Sequence, residues 1–324
     1  MEFIPFAFCV SACAQLESNQ RDAIKLIRSK TWKVAAANAT KNQTSVSLII
    51  RNSNDMWKYE LWTRVQGEAD RCITFAELKE FNREHLYVNS ITFVVDCDYA
   101  TTSTLKEVVE IVDFMFPFLF KPSLHIAGNR TFQNNCQKAV FYTLLNCYRN
   151  TALSDLCISD RDQESRDFLK SQLRTSTSLR TIQICWSNWP EDVRLAIEEF
   201  AVTKPFRLLQ TKLTFGMTFF ERLFEKTLVD PELEFRGVFS FSFEDLAVCR
   251  TEIQDPSMTS LLSTKSNSTG LSYQLNNLVW RRKDGVQVTV TEHCFGQQLW
   301  HIKLNHSRKS ADELISVMSN KAFM

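Results

Sequence analysis

The residues whose types best suit chemistry lie near the C-terminal end of the chain. His293 and Cys294 are adjacent, and His301 and His306 follow shortly after them. Histidine and cysteine together can ligate a metal ion, or can form the base and nucleophile of a hydrolase. A strand places successive side chains on opposite faces, which separates His293 from Cys294. We therefore expect no metal site here, and a Cys/His hydrolase is a remote alternative function.

The motifs that bind nucleotides or activate a serine are missing from the sequence. Its seven glycines form no G-x-G-x-x-G, no Walker-type loop and no G-x-S-x-G. It also contains no C-x-x-C and no H-E-x-x-H, and the spacing of Cys9 and Cys13 suits packing on one apolar helix face. We predict no catalytic residue, no cofactor and no metal, and hence a protein that is not an enzyme.

An aromatic pair is a candidate for partner binding. Trp186 and Trp189 lie at the end of a predicted strand, where exposed aromatic rings make strong contacts with other proteins. The alternative is that one or both rings wedge into the turn between the strand and the helix that follows. We include both tryptophans among the predicted partner-binding residues.

The composition is that of a folded protein with a large core. Of 324 residues, 44% are hydrophobic and 23% charged, and 25 are phenylalanine. A net charge of +1 gives no field that attracts nucleic acid or acidic lipid, and no apolar run reaches the ~20 residues of a spanning helix. Ten scattered cysteines favour buried thiols in a reducing compartment, either cytoplasm or nucleus. Secretion through a short N-terminal signal is the alternative.

Alternating strand and helix patterns dominate the middle of the chain. From Leu153 to Leu228 three such units follow one another, and the same pattern begins upstream near Ile91. About five units of roughly 27 to 33 residues fall in the range of stacked repeats. The predicted fold is α/β, an irregular leucine-rich-repeat-like strand–helix array. An N-terminal helical element with a β-hairpin precedes this array, and a C-terminal antiparallel β cap follows it.

The pattern divides the chain into four parts. Residues 1–45 form a helical element, residues 46–90 a hairpin and helix, residues 91–230 the repeat array, and residues 231–324 the antiparallel cap. Residues 255–277 are dense in serine and threonine, which predicts a disordered loop within the cap.

Several short motifs occur together along most of the chain. They are Pro5-Phe6, Phe8-Cys9, Trp32, Ser187-Asn188-Trp189-Pro190, Glu198-Glu199-Phe200, Lys204-Pro205-Phe206, Phe219-Phe220-Glu221, Leu223-Phe224-Glu225, Trp280-Arg281-Arg282 and Asp284-Gly285-Val286-Gln287-Val288. As a set they resemble the nematode-expanded families of F-box and F-box-associated proteins. Ile4-Pro5 replaces the usual Leu-Pro pair and Asn19-Gln20-Arg21-Asp22 interrupts the aliphatic pattern, so the F-box itself is degenerate.

The resemblance implies a protein that recognises other proteins. Its N-terminal helices would bind a Skp-type adaptor of a cullin ubiquitin ligase, and its repeats would present an unknown protein substrate. Pro5, Phe6, Phe8 and Leu16 are the residues expected to face the adaptor. The alternative is a stand-alone binding protein with no connection to a ligase.

Overall fold

The computed structural model describes most of the chain, and the fold is divided into two compact units. The described residues are 5–14, 16, 23–24, 26, 28–53, 56–65, 69–83, 85–95, 103–127, 134–185, 188–227, 230, 233–241, 259–266, 274–281, 287–295 and 297–305. The first unit is Met1–Leu179 and the second is Arg180–Met324. Within the described residues the chain is α/β, with eight α-helices and a mostly parallel arrangement of its central strands. The predicted boundaries at 45, 90 and 230 remain predictions.

The first unit contains six strands and six helices among its described residues. They are α1 (Phe6–Ala14), α2 (Lys30–Asn42), β1 (Thr44–Ser53), β2 (Met56–Val65), β3 (Arg71–Ile73), α3 (Phe75–Glu80), β4 (Leu86–Val95), α4 (Leu105–Met115) with a 3-10 turn (Phe116–Phe118), β5 (Leu119–Ala127), α5 (Asn135–Tyr148), β6 (Asp155–Ser159) and α6 (Gln163–Thr175).

The described part of the second unit contains seven strands and two helices. They are β7 (Thr181–Cys185), α7 (Glu191–Thr203), β8 (Leu208–Phe215), α8 (Met217–Thr227), β9 (Glu234–Phe239), β10 (Thr259–Ser266), β11 (Gln274–Arg281), β12 (Gln287–Phe295) and β13 (Gln297–Asn305). The sequence also favours a hairpin turn over 283–285 and a helix over 310–320, and both segments lie outside the described residues.

Side-chain caps fix where four helices of the first unit begin. Thr74 accepts a hydrogen bond from the backbone N–H of Glu77, as the sequence predicts for this cap, and Thr104, one of two candidates with Ser103, accepts one from that of Glu107. Asn134 and Asp162 cap α5 and α6 in the same way. Each cap satisfies an N–H group that has no partner inside its own helix.

The sheet of the first unit has the strand order β6-β5-β4-β1-β2-β3. Strands β1, β4, β5 and β6 are parallel to one another. Strands β1 and β2 pair in antiparallel register from Thr44–Val65 to Ser53–Met56, which confirms the predicted hairpin. Strand β3 extends that antiparallel edge.

The second unit changes from parallel to antiparallel pairing. Strands β7, β8 and β9 are parallel, and β13 then pairs with β9 in antiparallel register. Strands β10 to β13 form an antiparallel meander. The predicted disordered loop is therefore wrong over 259–266, because these residues pair with β11 along their full length. Serine and threonine around Leu261-Leu262 are compatible with a strand, since threonine has high strand propensity.

In each unit, one face of the parallel strands packs into the hydrophobic core. In β4 the buried residues include Ile91, Phe93 and Val95, and the intervening residues are half-buried. The same alternation runs through β7 and β9. In the second unit Phe215 packs against Phe219 with ring centroids 4.6 Å apart. Large rings therefore fill this core, as the phenylalanine content predicts.

The described cysteines and helices can be compared with the predicted reducing compartment and with the expectation that no helix spans a membrane. Seven cysteines in the described part are free thiols, with Cys9, Cys13 and Cys157 buried and Cys72 exposed. No helix within the described ranges is long and apolar enough to cross a membrane.

Candidate functional site

Strand β5 is irregular directly before its polar residues. Val88 of β4 pairs with Leu119, and Ser90 pairs with Ser123, so β5 carries two extra residues across this interval. Lys121 lies within the bulge at φ 43°, the one positive φ of a non-glycine residue in the described part of the chain. Such a conformation costs of order 1 kcal/mol or more, and both bulges and strained residues concentrate near functional sites. The bulge therefore marks this strand as a candidate site.

Two serines and an aspartate form a hydrogen-bonded cluster beside the bulge. Ser123 Oγ donates to Asp155 Oδ2 at 2.7 Å, and Ser154 Oγ donates to the same oxygen at 2.6 Å. The backbone N–H of Ser154 donates to the Pro122 carbonyl at 3.1 Å, which fixes β6 against β5. All three side chains are half-buried. Hydrogen bonds to a carboxylate are stronger than neutral ones, so the cluster is held in one arrangement.

His125 lies two residues further along β5, on the same face as Ser123. Thr92, His125 and Cys157 occupy matching positions on β4, β5 and β6. Burial lowers the pKa of His125, and the nearby Asp155 carboxylate opposes that shift without cancelling it. The imidazole is therefore neutral at pH 7, with one nitrogen that donates and one that accepts.

This geometry holds polar groups together but does not form a Ser–His–Asp triad. In a triad the serine donates to the histidine and the histidine donates to the carboxylate, whereas Ser123 donates directly to Asp155. Among the described residues no three His, Cys, Asp or Glu side chains converge to hold a metal ion. The arrangement is suited to hydrogen bonding with a ligand.

The predicted N-terminal residues lie on a helical pair with its own small core. Phe6 is 44% exposed and Phe8 59% exposed, while Pro5 is exposed and Leu16 half-buried. The core between α1 and α2 contains Cys9, Cys13, Ala35, Ala36 and Ala39. The Phe8 ring meets that of Trp32 edge-on, with centroids 6.5 Å apart. A Skp-type adaptor at this surface remains a prediction.

The structure does not leave Trp189 exposed for a partner. Its side chain is 6% exposed, and its indole Nε1 donates to the Cys185 carbonyl at 2.9 Å. This placement agrees with the alternative that the ring wedges into the strand-to-helix turn, because burial covers the ring and the carbonyl satisfies its N–H. We therefore correct the predicted partner-binding role of Trp189. Trp186 lies outside the described residues.

For the other residues named in the sequence analysis, the structure describes the backbone of some and nothing of the rest. His293 and Cys294 lie on β12 and His301 lies on β13, but their side chains and the whole of His306 lie outside the described part. The sequence interpretation missed Ser123, His125 and Asp155. A signal was available, because Ser123 and His125 alternate with the buried residues Leu124 and Ile126.

Comparison with known proteins gives no family. No protein-family model matches the chain, and no curated protein matches it. Among solved structures, the MycE methyltransferase of the mycinamycin biosynthetic pathway, in complex with Mg and SAH, has a TM-score of 0.21 and 10% identity, covering 98% of this chain and 99% of that one. The same enzyme with Mg, SAH and mycinamycin VI has a TM-score of 0.20 and 9% identity, covering 97% and 99%.

The sequence predicted a non-enzymatic protein-recognition module acting as a substrate receptor, whereas these structures are of an enzyme. Both the predicted adaptor function and the prediction that the chain is not an enzyme are withdrawn as corrections, and neither is replaced by an activity taken from these structures. A TM-score near 0.2 carries no argument about activity, so we assign no methyltransferase chemistry to this chain.

Proposed function

We propose that the parallel strands of each unit form a one-sided, leucine-rich-repeat-like array, and that its helix-free face binds a small molecule. The centre of this surface in the first unit is the polar cluster of Ser123, His125, Ser154 and Asp155. We call this cluster the β5–β6 site.

The strand order supports helices on one face only. Strands β4, β5 and β6 are neighbours in chain order in the first unit, and so are β7, β8 and β9 in the second. Crossovers between parallel strands are almost always right-handed, so connections that all run in one direction put their helices on one face. A doubly wound sheet reverses its strand order and binds ligands at the reversal. Among the described residues, the parallel strands of neither unit show such a reversal.

The burial pattern gives independent support. Strands covered by helices on both faces would be buried at nearly every position. Here Leu124 and Ile126 of β5 are fully buried, while Ser123 and His125 between them are half-buried. One face of β5 packs on the core and the other is partly open to solvent. On β6 the open face extends only to Asp155, because Cys157, the partner of His125, is buried.

The observation that carries the proposal is a row of polar side chains across the open face. Ser47, Ser90, Ser123 and Asp155 are in register across four parallel strands. Neighbouring positions in such a row are about 4.8 Å apart, which suits contact with successive groups of one ligand. A strand face that is merely exposed to solvent does not require a β-bulge and a hydrogen-bonded carboxylate at the same place.

The test is a fragment screen on the full chain, using saturation-transfer NMR and a library of acids, amines and neutral polar molecules. Variants Ser123→Ala and His125→Gln probe the β5–β6 site, and Asn146→Ala on the exposed surface of α5 is the matched control. We expect a set of fragments to lose signal with both site variants and to keep it with the control. Fragments that bind equally to all four proteins would refute the proposal.

A further inference from the structure

We infer that the β5–β6 site takes an uncharged molecule with several hydroxyl groups, a small polyol. This inference rests on the proposed binding surface and adds the chemical class of its ligand. The ligand class follows from the hydrogen bonds that the side chains of the site can still make.

The side chains of the site offer both donors and acceptors. Ser123 uses its proton on Asp155 Oδ2, so its oxygen still accepts. The neutral imidazole of His125 donates from one nitrogen and accepts at the other. Thr92, beside His125 on β4, has a half-buried hydroxyl that can do either. Ligand hydroxyls also donate and accept, so a polyol matches all three side chains.

Other ligand classes match less well. An anion such as phosphate would lie beside the Asp155 carboxylate, and like charges at close range repel. An ammonium group donates only, which leaves the imidazole N–H of His125 without a partner. A metal ion lacks a set of ligands, because the described residues contain no cluster of three His, Cys, Asp or Glu. An apolar ligand would bury these polar groups unpaired, which is costly.

The backbone of β5 shows that this position is built rather than incidental. The two extra residues before Ser123 change the register against β4, and Lys121 holds a left-handed conformation to accommodate them. Without the bulge, alternation along β5 would place Ser123 opposite a different residue of β4. The bulge therefore determines that Ser123 joins the row that ends at Asp155.

The test titrates the full chain, labelled with 13C at histidine Cε1, with four probes observed by NMR. The probes are myo-inositol and D-glucose as polyols, methylamine as a cation and inorganic phosphate as an anion. The His125 signal is identified by its loss in His125→Gln. We expect a saturable shift of that signal with at least one polyol, and weaker shifts with methylamine and phosphate.

Two variants and a control make the outcome specific. Ser123→Ala and Thr92→Val should each weaken polyol binding by about three- to tenfold, the effect of one lost hydrogen bond, and Asn146→Ala should leave it unchanged. Circular dichroism confirms that each variant is folded. A His125 signal that does not respond to either polyol, or that responds more strongly to methylamine or phosphate, overturns the inference. If charged fragments still bind at Ser123 and His125, the proposed binding surface survives and only the ligand class is wrong.

Discussion

Ser123 and Asp155 lie 32 positions apart in the sequence, and the Ser123 hydroxyl donates to the Asp155 carboxylate at 2.7 Å across neighbouring parallel strands. Ser154 donates to the same oxygen, so each serine can hold the carboxylate in the absence of the other. We expect Ser123→Ala and Ser154→Ala each to lower the free energy of unfolding by about 1 kcal/mol. The double variant should lose more than the sum, because the half-buried carboxylate then keeps neither serine donor. Urea unfolding measures all four proteins, and strict additivity would contradict the shared-oxygen arrangement.

The His125 imidazole should make stability depend on pH. Burial holds its folded pKa below the ordinary value of 6.5, so the unfolded chain binds the proton more readily. Stability contributed by the neutral ring is present above pH 6.5 and is lost as pH falls towards the folded pKa. The difference in unfolding free energy between wild type and His125→Gln should therefore shrink as pH drops from 7 to about 5. A difference in unfolding free energy that stays constant over this pH range would show that folding does not lower the pKa of His125.

A buried amide pair joins the first hairpin to α5. Gln137 Nε2 donates to Asn52 Oδ1 at 2.6 Å, and Asn52 Nδ2 donates to the Met56 carbonyl at 3.0 Å. Gln137 is 0% exposed and Asn52 is 1% exposed. We expect Gln137→Leu to cost about 1–3 kcal/mol, because the Asn52 carbonyl oxygen loses this donor while it remains buried.

The control for this amide pair is Gln163→Leu, which changes an exposed glutamine at the start of α6. Its effect on the unfolding free energy should stay within about 0.5 kcal/mol. Equal losses in the two variants, measured by chemical denaturation, would show that the buried pair contributes nothing beyond the substitution itself.

Lys226 joins α8 to the end of α7. Its ammonium donates to the carbonyls of Ala201 (2.7 Å) and Lys204, and lies 4.7 Å from the centre of the Phe206 ring. Burial lowers the pKa of Lys226 to about 8, from an ordinary value of 10.5. Between these two pH values the unfolded chain binds more protons, so the stability of the folded state rises with pH across that window.

The variant Lys226→Met should lack this pH-dependent rise, and Lys212→Met, at an exposed position on β8, should keep it. Thermal unfolding at several pH values from 7.5 to 10.5 provides the measurement. Identical pH profiles for the two variants would rule out the lowered pKa of Lys226.

Local signals in the sequence predicted the individual elements well. Thr74 was recognised as a helix cap, and Thr104 was one of two candidates, with Ser103, for the start of α4; a hydroxyl at this position can accept from a free N–H group of the first turn. The hairpin of β1 and β2 was predicted because period-two alternation on both sides of a polar turn is a local property. Such signals act over a few residues and do not depend on the rest of the fold.

Predictions that depended on surroundings were less successful. The expected loop at 255–277 contains β10, whose backbone pairs with β11, and composition alone does not reveal a pairing partner. Trp189 was proposed as a contact residue, but its side chain is 6% exposed and its indole N–H donates to the Cys185 carbonyl. Exposure of a large aromatic ring depends on what packs over it, and that is not encoded at the residue itself.

Local sequence patterns were enough to predict that this chain alternates strands and helices, and where several of these elements begin. That Asp155 lies beside Ser123 and His125 emerges only when the strands pair. Two extra residues in β5 set its register against β4, and the separate pairing of β5 with β6 brings Ser123 opposite Asp155. A shift of one residue would turn these side chains to the other face, and local periodicity does not specify which register forms.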